Sequence, residues 1–395
     1  MQDTDPVIIS SFARTPMGGF QGALSGATAT ELGATAVKAA VERSGVSPDA
    51  IDRIYMGCVL SGGLGQAPAR QAALKAGLPN SVEATTLNKM CGSGMQAAIM
   101  GHEALSAGTV DVIVAGGMES MTNAPFLMQK HRAGARIGHD VIYDHMMLDG
   151  LEDAYEKGKP MGAFAEDAVE LYQLTRAAQD AFAVESLDRA NAAIKAGAFD
   201  SEVVPVTVKG RGGESQVLVD EQPGIAKPDK IPGLKPAFKK DGTITAANAS
   251  SISDGAAALV MTRASVAEKL GLTTEATLVA TASHAHEPGL FTTAPVPAIK
   301  KLLEKAGWSV ADVDLFEVNE AFAAVTMIAM RELGIPHDKV NVNGGATALG
   351  HPIGASGARI IATLVAALKN RGLKKGVAAL CIGGGEATAI AVELA

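Results

Sequence analysis

Apolar positions along the chain repeat with two spacings that follow one another in a fixed order. Val37–Val59, "VKAAVERSGVSPDAIDRIYMGCV", opens with apolar residues three and four apart, passes through a glycine and closes on a short apolar run. The first spacing predicts a helix with one buried face, and the second predicts a strand. The same order recurs in Ile299–Ala321, "IKKLLEKAGWSVADVDLFEVNEA". Aligned without gaps, Lys38, Glu42, Gly45, Ser47 and Asp52 meet Lys300, Glu304, Gly307, Ser309 and Asp314. In each copy the glycine is placed to end the helix. The serine is placed to cap a short helical turn before the strand.

The likeness continues downstream. Gly92–Ser120 resembles Gly354–Thr388, each predicting helix, glycine turn, strand, then glycines and an acid. "DVIVAGG" and "VAALCIGGG" are near-continuous apolar runs, as strands covered on both faces should be. Strands alternating with helices predict an α/β fold with a mostly parallel sheet, built as two similar packed halves. The first half spans 1–120 and is completed by about 249–271; the second spans 272–395. Residues 121–248 are richer in Met, Pro and charge and are expected to form an insertion. It contains a long helix predicted over about Arg176–Ala196, with Thr175 as its N-cap.

Composition narrows the function classes. A chain of 395 residues exceeds the usual size of a single core. Aromatics make up only 4% against 44 glycines, which points to tight turns and close backbone approaches. A net charge of −8 argues against a general nucleic-acid binder. Two local basic stretches, Lys130–Arg136 and Lys209–Gly213 with Arg211, fit either a polyanionic small ligand or solvated loops. Three cysteines do not make a disulfide framework. The N-terminal residues lack a signal-like apolar core, and no apolar run approaches the ~20 residues of a membrane span. A cytoplasmic protein is expected, with no nucleic acid or membrane partner.

Four stretches could carry chemistry: "NKMCGSG" with Cys91, "EVNEAF" with Asn319 and Glu320, "NGGATALGHPIGASGAR" with His351, and "LCIGGGEA" with Cys381. Each has a bland reading. A free cysteine is usually a small buried hydrophobe, and Asn319 could be a turn residue. Cys58 has no supporting context and is assigned to the core. As a set they have a logic. Cys91 opens a helix, where free N–H groups favour a thiolate, and a histidine could activate it. Glycines beside Cys91, His351 and Cys381 let backbone N–H groups reach a developing oxyanion. "GSGMQA" also fits a relaxed dinucleotide fingerprint, but the polar "EATTLNKMC" before it is not the buried strand that motif requires. "HAH" at His284–His286 lacks companions with metal-ligand spacing, so no metal site is expected. A cysteine redox switch would leave the glycine loops without a purpose.

Together these residues resemble the thiolase family from "ARTPMGGFQGAL" (Ala13–Leu24) to "CIGGGEA", most closely its short-chain acetyl-CoA C-acetyltransferase branch. The resemblance implies a five-layered α-β-α-β-α arrangement of two repeats with an inserted loop domain that binds coenzyme A. It implies that Cys91 takes the acetyl group as a thioester and that His351 accepts its proton. Cys381 would exchange protons with the α-carbon of the second acetyl-CoA. Asn319 would hold a water that with His351 forms one oxyanion hole; the N–H groups of Cys91 and Gly383 would form the other. Ser250 would contact the pantetheine arm, Phe238, Ala246 and Phe322 would line its tunnel, and Met161 would border the acyl group. Acetyl-CoA and coenzyme A would be substrates, with no cofactor, in a homodimer or homotetramer. Two positions depart from many relatives: Pro160 in "PMG" replaces a histidine, and Phe291 in "GLFTTAP" replaces a methionine. Both border the acyl pocket, which leaves a broader-range 3-ketoacyl-CoA thiolase as the alternative. Decarboxylating ketoacyl synthases are a more distant one, because they place His where this chain has Cys381.

Overall fold

The computed structural model describes residues 5–210 and 213–395. Nine strands form one continuous sheet: β1 Val7–Arg14, β2 Arg53–Gly57, β3 Glu83–Leu87, β4 Val112–Ser120, β5 Ser253–Arg263, β6 Ala276–Ala285, β7 Leu315–Val318, β8 Lys375–Ile382 and β9 Glu386–Glu393. Their order is β7-β8-β9-β6-β1-β5-β4-β2-β3, and a short strand at Gly18–Gly19 pairs with β5. The chain alternates these strands with helices α1 Ala29–Ser44, α2 Ser93–Ser106, α3 Met161–Leu171, α4 Arg176–Lys195, α5 Pro295–Ala306, α6 Ala323–Leu333 and α7 Ser356–Arg371.

The repeat predicted from sequence is a repeat of topology, but the sheet is not mostly parallel: only β2 with β3, β2 with β4 and β7 with β8 pair in parallel, because β5 and β9 return beside β4 and β8 in the opposite direction. The first half runs β3-β2-β4-β5-β1. The second runs through β7-β8-β9-β6, with Val340 bridging Phe316 where a counterpart of β3 would lie. The two half-sheets meet where β1 pairs with β6 at only two positions, Ile8 with Thr277 and Ile9 with Ala276. α1 covers one outer face around Leu32, Val37 and Val41. α5 and α6 cover the other, around Ile299, Leu302 and Ile328. α2 and α7 lie between the half-sheets, burying Met95, Ile99, Ile360 and Leu364 against residues of both. Five layers result.

The helix ends follow the local signals. α1 and α5 stop at Gly45 and Gly307 with φ of 73° and 68°, the left-handed conformation that glycine adopts without a Cβ penalty. Ser309 caps the following turn reciprocally with Asp312, whereas Ser47 makes no side-chain cap. Asp312 sits where its side chain can answer Ser309; the matching position in the first copy is Ala50, which cannot. The shared "glycines then an acid" is not a register match either. Met56 faces Gly116, and Val318 faces Ala379, which sets Glu119 level with Ile382 rather than with Glu386.

Between β4 and β5 the chain leaves the large sheet to form α3, α4 and a hairpin of Val206–Gly210 with Gly213–Val217. α4 begins behind Thr175, whose hydroxyl accepts the Ala178 N–H at 3.2 Å. Arg14 of β1 ties this excursion down. Fully buried, its guanidinium pairs with Glu202 at 2.7 Å and with both oxygens of Asp220 at 2.7 and 2.9 Å. Lys130–Arg136 and Lys209 are exposed, and Lys209 lies 3.5 Å from Glu214. Arg211 lies outside the described residues. Among the described residues no helix is long and apolar enough to cross a membrane.

Candidate active site

Cys91 sits in the turn between β3 and α2. The residue before it, Met90, has φ of +47°, a left-handed conformation that costs a residue with a Cβ about 1–3 kcal/mol. Local hydrogen bonds hold the turn. Asn88 Oδ1 accepts the Met90 N–H at 2.9 Å, and Ser93 Oγ accepts the Lys89 N–H at 2.8 Å while donating to the Met90 carbonyl at 2.6 Å. Gly92 is required by space, because a Cβ there would stand 2.3 Å from Ile382 Cδ1. The turn therefore rests directly on the end of β8, which carries Cys381. Across this contact the Gly383 N–H faces the Cys91 sulfur, and it and the Cys91 N–H act to lower the thiol.

These donors do not produce a resting thiolate. Burial pushes the Cys91 thiol up to about 11, against the lowering expected from a helix start. Two N–H groups offset only part of the desolvation. Cys381 is fully buried, and burial, with Cys91 as a second cause, holds it well above the ordinary thiol range.

His351 is buried on the loop before α7. Its Nδ1 lies 2.6 Å from Ser356 Oγ, which donates to the Pro352 carbonyl at 3.0 Å. With the hydroxyl hydrogen committed there, the short contact is best made by Nδ1–H, which leaves Nε2 with its lone pair. Nε2 makes no hydrogen bond to the protein among the described residues. Burial, with the nearby Arg359 cation as a smaller cause, lowers the imidazole to about 3. At neutral pH it is therefore an uncharged acceptor. Asn319, at the end of β7, places Nδ2 3.4 Å from His351 Nδ1, and its Oδ1 accepts from Arg359 at 3.5 Å. Arg359 thus sets which way the Asn319 amide faces.

The apolar side of the site is continuous with Cys381. Phe291, Phe322, Ala321 and Cys381 form one buried cluster with Met161 and Phe238 packed against it. The Phe322 ring lies edge-on to Phe238 at 6.0 Å and to Phe291 at 6.3 Å. Phe238 also lies across the start of α3, where a Cβ on Gly162 would meet its ring at 2.4 Å. Met161 Sδ approaches the Cβ position of Gly383 at 3.4 Å. Ser250 donates through both its N–H and its hydroxyl to the Ala321 carbonyl, which sets it beside Phe322. Ala246 is exposed, between Ile244 and Ala249 of this cluster in sequence. Two surface clefts of about 700 and 510 Å³, between α4 and α6 and beside α3, are lined by none of the four reactive side chains.

Three supporting acids have partners that the sequence does not disclose, although Glu320 stands in the "EVNEAF" stretch beside Asn319. Glu119 is buried and accepts the N–H groups of Val59, Leu60 and Gly354 at 3.0, 3.0 and 2.9 Å, joining a first-half loop to the loop of His351. Burial raises its carboxyl to about 7 in spite of those donors. Glu320 holds Ser186 of α4, Asn341 and Thr347. Glu386 forms an ion pair with Lys89. An acid beside a glycine run was the only signal for two of them, and it carried no partner.

With this geometry in place, comparison with known proteins is decisive. The thiolase N-terminal domain matches residues 7–265 and the thiolase C-terminal domain residues 272–394. The chain belongs to the thiolase family. This thiolase is 50% identical over 391 residues to acetyl-CoA acetyltransferase 2 of Arabidopsis thaliana, covering 98% of this chain and 97% of that one. It is 49% identical over 392 residues to the acetyl-CoA acetyltransferase of Cupriavidus necator, covering 99% of each. The crystal structure of the Bacillus anthracis acetyl-CoA acetyltransferase superposes on it with a TM-score of 0.96 at 42% identity, covering 99% of both chains. The five-layered arrangement that the resemblance implied is the fold observed.

Proposed function

We propose that this thiolase is an acyltransferase that condenses two acetyl-CoA molecules to acetoacetyl-CoA and coenzyme A, and runs the reverse thiolysis, through an acetyl-Cys91 intermediate. The observation that carries the reading is the packing of the Cys91 turn on the end of β8 that carries Cys381, with Gly92 against Ile382, which sets the two thiols near enough to influence each other. Full-length relatives named acetyl-CoA acetyltransferase support the substrate.

The resting pair is a neutral thiol and a neutral imidazole, so proton transfer from Cys91 to His351 Nε2 accompanies attack on the acetyl thioester. The Cys91 and Gly383 N–H groups receive the oxyanion, and Cys381 gives its proton to the departing coenzyme A sulfur. In the second half-reaction the Cys381 thiolate takes an α-proton from the second acetyl-CoA, and the resulting enolate attacks acetyl-Cys91. Asn319 and His351, which still carries the Cys91 proton on Nε2, donate to the enolate oxygen, and His351 returns that proton to the Cys91 sulfur as acetoacetyl-CoA forms. A thiol with a high pKa holds its proton for delivery during thiolysis, and once ionised it is a strong base for a carbon acid. Met161, Phe238, Phe291 and Phe322 wall the acyl and pantetheine path, with Ser250 and Ala246 along the arm. The reaction uses no cofactor or metal. Phe291 within this cluster, and Pro160 at the start of α3, favour a test of longer and branched acyl chains as a second reading.

Three free cysteines suit a reducing cytoplasm. Phe126, Met128, Ile137, Val141 and Ile142 are exposed within one excursion, as in an oligomer contact, and support a homo-oligomer, either a homodimer or a homotetramer. The reaction is tested by two variants. Cys91→Ala should lose the acetyl adduct seen by intact-mass spectrometry with acetyl-CoA. Cys381→Ser should keep that adduct but lose condensation by roughly 10²–10⁴-fold, together with exchange of acetyl-CoA α-protons into deuterated water. Stoichiometric acetylation without Cys91, or wild-type exchange without Cys381, would reverse the assignments.

A further inference from the structure

The two loops that supply the Cys91 and Gly383 N–H groups belong to different halves of the molecule, and no backbone ladder joins them. One is the strained turn at Met90, and the other is the run Gly383-Gly384-Gly385, with φ of 96° and 86° at its last two residues. Three successive glycines lose more backbone entropy on ordering than any other tripeptide. The Ile382–Glu386 pair and the His286 N–H on the Gly385 carbonyl at 2.9 Å close the run as a hairpin turn within its own half, but the height of that turn over Cys91 must also be fixed if its first N–H is to serve an oxyanion. The structure offers one charged contact at this seam: Lys89, two residues before Cys91, pairs with Glu386, three residues after Gly383. Both side chains are partly buried, at 24% and 36% exposure, so water weakens the pair less than it would at an open surface. The pair spans the same gap as the Gly92–Ile382 contact and brackets the Cys91–Gly383 contact from the other side.

We infer that Lys89 and Glu386 form a cross-half latch that positions the Gly383 N–H over Cys91, setting the strength of this oxyanion hole rather than touching substrate. Both are positioning residues. The inference rests on the acetyl-Cys91 reading for its catalytic consequence, but its structural claim concerns the unacylated enzyme.

The experiment separates the two. In the free enzyme, alkylation of Cys91 by iodoacetamide at fixed pH reads the Gly383 N–H contact on sulfur. Glu386→Gln removes a negative charge, which by simple electrostatics would speed alkylation. Loss of the latch withdraws a donor and should slow it severalfold. Opposite signs make the outcome unambiguous, and faster or unchanged alkylation overturns the latch. In the acylated enzyme, the carbonyl stretch of ¹³C-acetyl-Cys91 should move to higher wavenumber in Glu386→Gln and Lys89→Met, as oxyanion-hole hydrogen bonds weaken. Their kcat should fall roughly 10- to 100-fold, somewhat less than the loss of a whole donor, with the KM for coenzyme A changed less than about twofold. Lys89→Arg, and the charge-exchanged pair Lys89→Glu with Glu386→Lys, should recover most of the wild-type stretch and rate. A carbonyl stretch that stays at its wild-type value in both single variants would also overturn the latch. Failure of the wild type to acquire an acetyl group at Cys91 would sink the functional reading instead, leaving the alkylation result to stand alone.

Discussion

At the scale of single residues, the reacting groups are neutral rather than pre-ionised, His351 and Cys381 buried and Cys91 half-buried. Cys91 near 11 and His351 near 3 place the proton on sulfur across the physiological range. Alkylation of Cys91 by iodoacetamide should therefore keep accelerating as pH rises through 9, because the thiolate fraction keeps growing. A plateau near pH 7 would mean a resting thiolate–imidazolium pair and would contradict this assignment. Motif chemistry made Cys91, His351, Cys381 and Asn319 legible in the sequence, since each lies in a glycine-rich stretch with a reason to be there. Their protonation was not legible. The helix start beside Cys91 argued for a thiolate, and only the packing of Ile382 and Gly383 over the turn reveals how much desolvation opposes it. Ser356 and Arg359, which fix the His351 tautomer and the Asn319 amide, were likewise hidden. Their partners come from loops brought together by folding.

At the scale of elements, α2 and α7 are the pivot. They cross at matching positions of the two repeats, Gly94 and Gly357. A Cβ on Gly94 would stand 2.8 Å from the Ala358 nitrogen, and one on Gly357 would stand 2.2 Å from the Met95 nitrogen. Both obstacles are backbone atoms that cannot rotate away. Gly357→Ala should lower stability by about 1–3 kcal/mol or more, measured by chemical denaturation. It should also depress activity in the folded fraction, because both helices start at the reacting groups. Gly94→Ala should do less on both counts, and the reverse ranking would show that the crossing is not the constraint. The paired Ser-Gly sequences at 93–94 and 356–357 advertised this element through the internal repeat. The same comparison misled at Glu119 and Glu386, whose likeness in sequence dissolves once strand register is counted.

At the scale of the whole molecule, Arg14 carries a disproportionate share of the assembly. It joins β1 to two points of the excursion between β4 and β5 through charges that water cannot reach. Arg14→Met should cost about 3–5 kcal/mol, the usual scale when one member of a buried charge cluster is removed. A double change of Arg14→Met with Glu202→Gln should recover part of it; no recovery would assign the loss to packing alone. The order of strands has a further consequence, for the chain during its synthesis. β5 lies between β1 and β4 in the sheet, yet it follows β4 in sequence by more than a hundred residues. Until Ser253–Arg263 leaves the ribosome, β1 and β4 each present an unpaired apolar edge. The nascent first half therefore keeps these edges open to wrong pairing until β5 arrives, and the length of the inserted segment sets how long it must wait.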